Sequence, residues 1–175
     1  MGKGGDWERE ISKTLTTWLT GAPKPYVWWR MPSSGAMATI SEENKELSGD
    51  IMPLRPEGAF LTDKYSIEAK VGYPNSSFHK HLKGVKNDEI KDFWEQCCRD
   101  AIKASKKPLL IYKKLRCNAL IGIEMGDFRD QLLGLPRVCM RFSEEQTNEV
   151  DLPEVAFYDM TAFLEAIKPD DIRNI

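Results

Sequence analysis

The apolar positions of this chain change period several times, and each change marks an element. Trp7, Ile11, Leu15, Trp18 and Leu19 recur at helical spacing, so a first helix is expected from roughly Asp6 to Leu19, with Asp6 as N-cap and Gly21 then Pro23 as stop signals. YVWWRM (26–31) is aromatic and branched enough for a strand. The polar stretch 33–49 reads as a loop, GDIMPL (49–54) as a short buried strand and RPEGAFLTD (55–63) as a turn. KYSIEAKVG (64–72) then alternates: Tyr65, Ile67, Ala69 and Val71 go to one face, and Lys64, Ser66, Glu68 and Lys70 to the other, as in a half-buried strand with a wet side. A long basic loop (72–87) leads into a second helix over 88–107, where Ile90, Phe93, Trp94, Cys97, Cys98, Ala101 and Ile102 fall at three- and four-residue steps. PLLIYKKL (108–115) and NALIGIEM (118–125) predict two strands joined tightly at Arg116–Cys117. The rest predicts a short helix near 127–133, strands near 137–141 and 155–158, and a last helix from Asp159 to about Ile167. This order of elements predicts an α/β fold, a mixed central sheet flanked by helices, in one domain.

Composition narrows the class. At 175 residues and 41% hydrophobic content, the chain suits one continuous core. No apolar run approaches the roughly 20 residues of a membrane helix, and MGKGGDWERE has no signal-like apolar region, so a soluble intracellular protein is expected. Cys97, Cys98, Cys117 and Cys139 lack zinc-frame spacing and are expected to be buried thiols. The net charge of −2 conceals an asymmetry: residues 1–120 carry 20 basic against 15 acidic side chains, and residues 121–175 carry 5 against 12. A polyanionic partner for the first two-thirds is therefore compatible with the mild overall charge.

The candidate chemistry begins with Glu68 and Lys70 on one face of their strand and Asp50 at the start of the strand before it. If the two strands pair, Asp50 and Glu68 come within a few ångströms, a costly arrangement unless a cation neutralises it. Oxygen donors without His or Cys favour Mg²⁺ or Mn²⁺, and a neighbouring Lys can orient a water or balance charge on a phosphorane-like transition state. Helical phase adds Glu8. With Trp7 at zero and about 100° per residue, the apolar arc runs from about 0° to 120°; Glu8 falls near 100°, inside it, and Glu10 near 300°, in solvent. A core-facing carboxylate needs a partner, either a metal site or a basic side chain.

Gly49-Asp50 followed by Glu68-Ala69-Lys70 resembles the PD-(D/E)xK nuclease superfamily, and KGGDWEREISKTL with WWRMPSSGAM is similar to the archaeal-type Holliday junction resolvases. The matching positions are Glu8, Arg9, Arg30, Ser34, Gly35, Asp50, Glu68 and Lys70. The resemblance covers roughly residues 3–115 of a single nuclease domain, leaving about 125–175 as a C-terminal extension. It implies a restriction-endonuclease-like fold and a Mg²⁺-dependent (or Mn²⁺-dependent) DNA endonuclease, acting as a homodimer on four-way junctions. Glu8, Asp50, Glu68 and the Ala69 carbonyl would be metal ligands, Lys70 would position or activate water, and Ser34 would lie near the scissile phosphate. Arg9 and Arg30 would be on the DNA side, and Gln96 would either support the metal ligands from behind or contact a phosphate. The basic loop (His79, Lys80, Lys83, Lys86) and the set Lys103, Lys106, Lys107, Lys113, Lys114 and Arg116 are candidate phosphate contacts. The acidic stretch 37–48 departs from the family pattern. A duplex-cutting restriction or repair nuclease and a non-catalytic DNA-binding subunit of the same fold are the alternatives.

Overall fold

The computed structural model describes residues 3–32, 48–84, 88–142 and 152–174. Helix α1 (Lys3–Thr20) leads to strand β1 (Trp28–Arg30), which pairs antiparallel with β2 (Ile51–Pro53) in a two-stranded sheet. A 3₁₀ turn (Pro56–Gly58) and the short helix α2 (Ala59–Thr62) precede β3 (Tyr65–Gly72). Next come α3 (Phe78–Leu82), α4 (Glu89–Lys103), β4 (Lys107–Lys114), β5 (Ala119–Glu124), β6 (Arg137–Met140), β7 (Val155–Asp159), α5 (Met160–Ala166) and α6 (Pro169–Arg173). The main sheet is ordered β3-β4-β5-β7-β6; only β3 and β4 are parallel, and α4 makes the crossover that a parallel pair requires. The expected mixed α/β architecture is what the chain adopts.

Both faces of the sheet are covered. Ile67, Leu109, Ile111, Ile121, Ile123 and Tyr158 pack with Trp7, Ile11 and Leu15 of α1 and Phe163 of α5. Leu110, Tyr112, Val155 and Phe157, at the alternate positions, pack with Ile90, Phe93, Trp94, Cys97 and Cys98 of α4. β3 is therefore not half wet: Tyr65, Ser66, Ile67 and Glu68 are all buried. Of the expected buried thiols, Cys97 and Cys98 are buried, while Cys117 and Cys139 are exposed. Trp28 is the inward member of the tryptophan pair, donating Nε1–H to the Gly58 carbonyl at 3.0 Å, and Trp29 packs on Tyr26.

Several boundaries differ from expectation. α1 begins at Lys3, so Asp6 lies in its first turn and pairs with Arg9 instead of capping the helix. The basic loop contains α3, capped by Ser77, which accepts from His79 N–H. The segment 127–133 forms successive turns and no helix, because Phe128 adopts φ +53° between Gly126 (φ +109°) and Gly134 (φ +92°). α6 is an element the pattern did not indicate. Lys64, on the supposed wet face, donates to the Ile172 and Arg173 carbonyls at the end of α6. The C-terminal segment is built into the sheet, since β7 lies between β5 and β6. Among the described residues, no helix is long and apolar enough to cross a membrane.

Candidate active site

The site forms where the small sheet meets the free edge of β3. The expected pairing of the Asp50 strand with β3 is reduced to one parallel bridge, Gly49 to Ile67, while β2 itself pairs with β1. The bridge suffices to seat Asp50: its N–H donates to the Ile67 carbonyl at 2.7 Å, and its carbonyl accepts from Met31 N–H at 2.7 Å. Its carboxylate Oδ2 then accepts from Ala69 N–H at 2.8 Å. Asp50 is thus locked onto the main chain between Glu68 and Lys70. Gly49 allows the approach. It sits at φ +91°, and a Cβ there would lie 2.7 Å from both the nitrogen and the oxygen of Ile67.

Glu68 and Lys70 lie opposite Leu110 and Tyr112 in the β3–β4 register, so both face α4. There the Lys70 ammonium meets Glu68 Oε1 at 2.6 Å. Gln96 of α4 completes a triangle: Nε2 donates to Glu68 Oε1 at 2.9 Å, and Oε1 accepts from Lys70 Nζ at 2.9 Å. Of the two contacts expected of Gln96, behind the ligands or at a phosphate, the structure shows the first: it bridges the acid and the base. Burial and the neighbouring Asp50 push the Glu68 carboxyl up to about 7, against the pull of Lys70. Burial works to lower the Lys70 ammonium, but the charge and hydrogen bond of Glu68 outweigh it and hold Lys70 above the usual lysine range.

Glu8 approaches from α1. Its side chain is 17% exposed and pairs with Arg30 at 3.7 Å, whereas Glu10 is 56% exposed and pairs with Lys113 at 3.0 Å. Helical phase had selected the same residue. Burial and the charge of Asp50 raise the Glu8 carboxyl despite Arg30. Glu8→Gln is expected to slow cleavage about ten-fold or more, while Glu10→Gln stays within about two-fold of the native rate. Equal losses in a side-by-side cleavage assay would remove Glu8 from the site.

The expected phosphate contacts fare unevenly. Arg9 is tied to Asp6 at 2.6 Å, Lys80 to Glu89 at 3.0 Å, and Lys113 to Glu10 while its ammonium lies 4.8 Å over the Trp7 ring. His81, also in the basic loop, pairs with Asp88 at 3.0 Å. Lys83 is exposed. The basic set on β4 does not form one face. Lys107 opens the strand, bound to Asp127, and Lys114 closes it, roughly 23 Å away at about 3.3 Å per residue. Only Lys113, Lys114 and Arg116 are at the end toward Lys70. Ser34, Gly35 and Lys86 lie outside the described residues, as does most of the acidic stretch.

Asp50, Glu68 and, behind them, Glu8 are hard oxygen donors, and Asp50 makes ionisation of the other two harder. A divalent cation would relieve that strain, so the donor set fits one. Among the described residues, no three acidic, His or Cys side chains converge into a metal cage of their own.

A mixed sheet bearing Glu-x-Lys on its edge strand, with an aspartate delivered from a separate hairpin, is the layout of a PD-(D/E)xK nuclease. Residues 1–174 match the family described as "Phage putative PDDEXK endonuclease", and the chain belongs to that family. Protein D14 of Escherichia phage T5 is 33% identical over 100 residues, 57% of this chain and 58% of that protein's length. No solved structure matches the chain.

Proposed function

We propose that the protein is a metal-dependent DNA endonuclease with Asp50, Glu68 and Lys70 at its centre and Glu8 in support. The observation that carries this reading is the Asp50 carboxylate bonded to Ala69 N–H, which fixes an aspartate between the acid and the base of Glu68-Ala69-Lys70. Asp50 and Glu68 would hold a Mg²⁺ or Mn²⁺ ion, with the Ala69 carbonyl and Glu8 as further ligands, directly or through water. When bound, that ion supplies Lewis-acid charge at the scissile phosphate and lowers the pKa of a water.

The remaining work falls to side chains. Lys70, 2.6 Å from Glu68 Oε1, would position or activate the attacking water and offset charge on the phosphorane. Gln96 keeps Lys70 and Glu68 in register during that step. Arg30, beside Glu8 and within 3.4 Å of where a Cβ on Gly5 would stand, offers a second cation to a phosphate oxygen. In-line attack then displaces the 3′ oxygen and leaves a 5′ phosphate.

For the substrate we retain the four-way junction and for the acting species a homodimer, on the sequence similarity of the first third of the chain to junction resolvases. Two sites related by a two-fold axis would make paired nicks. Labelled four-way junction and linear duplex of the same sequence, each with Mg²⁺ or EDTA, test this reading. Metal-dependent, paired incision of the junction is expected. Incision of the duplex alone would transfer the protein to the restriction or repair type, and no metal-dependent incision of either DNA would dismiss the nuclease.

A further inference from the structure

Where β3 ends, two successive residues have positive φ: Gly72 at φ +105° and Tyr73 at φ +27°. A bulky residue there is strained and persists only where its surroundings fix it. They do. The Tyr73 carbonyl accepts from Ser76 N–H at 3.1 Å and from Ser76 Oγ–H at 2.6 Å. Ser76 is wholly buried, its hydroxyl pairs with that of Tyr112, and its carbonyl accepts from Lys114 at 2.8 Å.

The product of this clamp is the placement of one ring. Tyr73 packs on Phe93 with centroids 4.5 Å apart and a 58° tilt, and the Phe93 ring in turn lies 5.8 Å from Lys70 Nζ. Phe93 is buried, whereas Tyr73 remains 41% exposed. Lys70, Phe93 and Tyr73 therefore form a row from the ammonium of the site to the surface, with Lys114 tied beneath the turn. Covering Phe93 would not need a strained backbone, since any apolar side chain on an ordinary turn could do it.

A phosphodiester brings flat, π-faced bases on either side, and an immobilised aromatic ring beside the phosphate site suits one of them. We propose that Tyr73 is a base-stacking residue, its ring receiving a nucleobase next to the phosphate that Glu68 and Lys70 act on. The inference rests on the nuclease reading of that site, but it is tested by binding, with cleavage scored separately.

The probes are a four-way junction and the matching duplex, each carrying single 2-aminopurine or abasic substitutions, titrated with native protein, Tyr73→Phe and Tyr73→Leu in EDTA. Leucine retains apolar cover over Phe93 but cannot stack as an aromatic. Native protein and Tyr73→Phe are expected to quench 2-aminopurine at one or two positions beside the cut. Tyr73→Leu should lose that quench and bind about ten-fold more weakly. An abasic site at the quenched position should weaken native binding by a similar factor and leave Tyr73→Leu unaffected. The proposal is overturned if the native protein binds neither DNA, if no position is quenched, if phenylalanine fails as leucine does, or if both proteins respond equally to the abasic site. If a Tyr73-dependent quench persists in a protein that cuts neither DNA, stacking stands and the nuclease reading falls.

Discussion

An Asp50→Asn protein is expected to fold like the native chain and to cleave DNA about a hundred- to thousand-fold more slowly. The two outcomes separate because Asp50 has two tasks that use different properties of its side chain. Accepting Ala69 N–H at 2.8 Å needs only an oxygen, which the asparagine amide retains. Holding a cation needs the charge, which the amide lacks. Removing that charge also relieves Glu8 and Glu68, whose carboxyls Asp50 helps to raise, so the folded state loses repulsion and no contact. Cleavage of labelled DNA at saturating Mg²⁺, read beside thermal unfolding, checks both halves. A native rate with a native midpoint would exclude Asp50 from catalysis, whereas a collapsed midpoint would show that the hydrogen bond does not survive the exchange.

Gly49→Ala should have the larger structural effect, although it adds one methyl group to a residue with no chemistry. Left-handed φ costs an L-residue about 1–2 kcal/mol, and the methyl would lie 2.7 Å from two main-chain atoms of Ile67 that cannot move aside within a strand. Together these give roughly 2–4 kcal/mol, or a fall of about 5–15 °C in Tm for a chain of this size. Any relief must come from drawing Gly49 off β3, which pulls Asp50 away from Ala69. Cleavage should therefore fall by at least ten-fold even below the new midpoint. An alanine protein with a native Tm would mean that the close approach at the bridge is absent in solution.

The long elements were legible because their cores repeat. All seven strands follow from composition or alternation and two principal helices from three- and four-residue steps, and the phase of α1 separates the less exposed Glu8 from Glu10. What escaped was set by short segments and by register. β1 and β2 are three residues each, too short to show a period, so the single bridge that seats Asp50 left no trace in the pattern. α3 and α6 are five residues long, and the turn at Phe128 depends on a dihedral angle that its sequence does not advertise. The cations misled for another reason. Charge composition records how many lysines lie along β4 but not that Lys107 and Lys114 occupy opposite ends, nor that Arg9, Lys80 and Lys113 have acidic neighbours. Alternation puts Glu68 and Lys70 on the polar face expected to line the site, but it does not reveal that α4 closes over that face. Gln96 was expected beside the site, either behind the ligands or at a phosphate. Its link to both Glu68 and Lys70 needed the crossover between β3 and β4 to be known.

Asp50 comes from a hairpin, Glu68 and Lys70 from the edge of another sheet, Glu8 from the first helix and Gln96 from the crossover helix. During synthesis, the amino-terminal residues of the centre leave the ribosome long before Gln96, and β3 has no parallel partner until β4 follows. A nascent or partly unfolded copy thus holds the reactive groups as separate, solvated side chains. On the proposed reading, a competent centre needs all of these segments in place, and a copy open at the Gly49–Ile67 bridge would lack the seated Asp50.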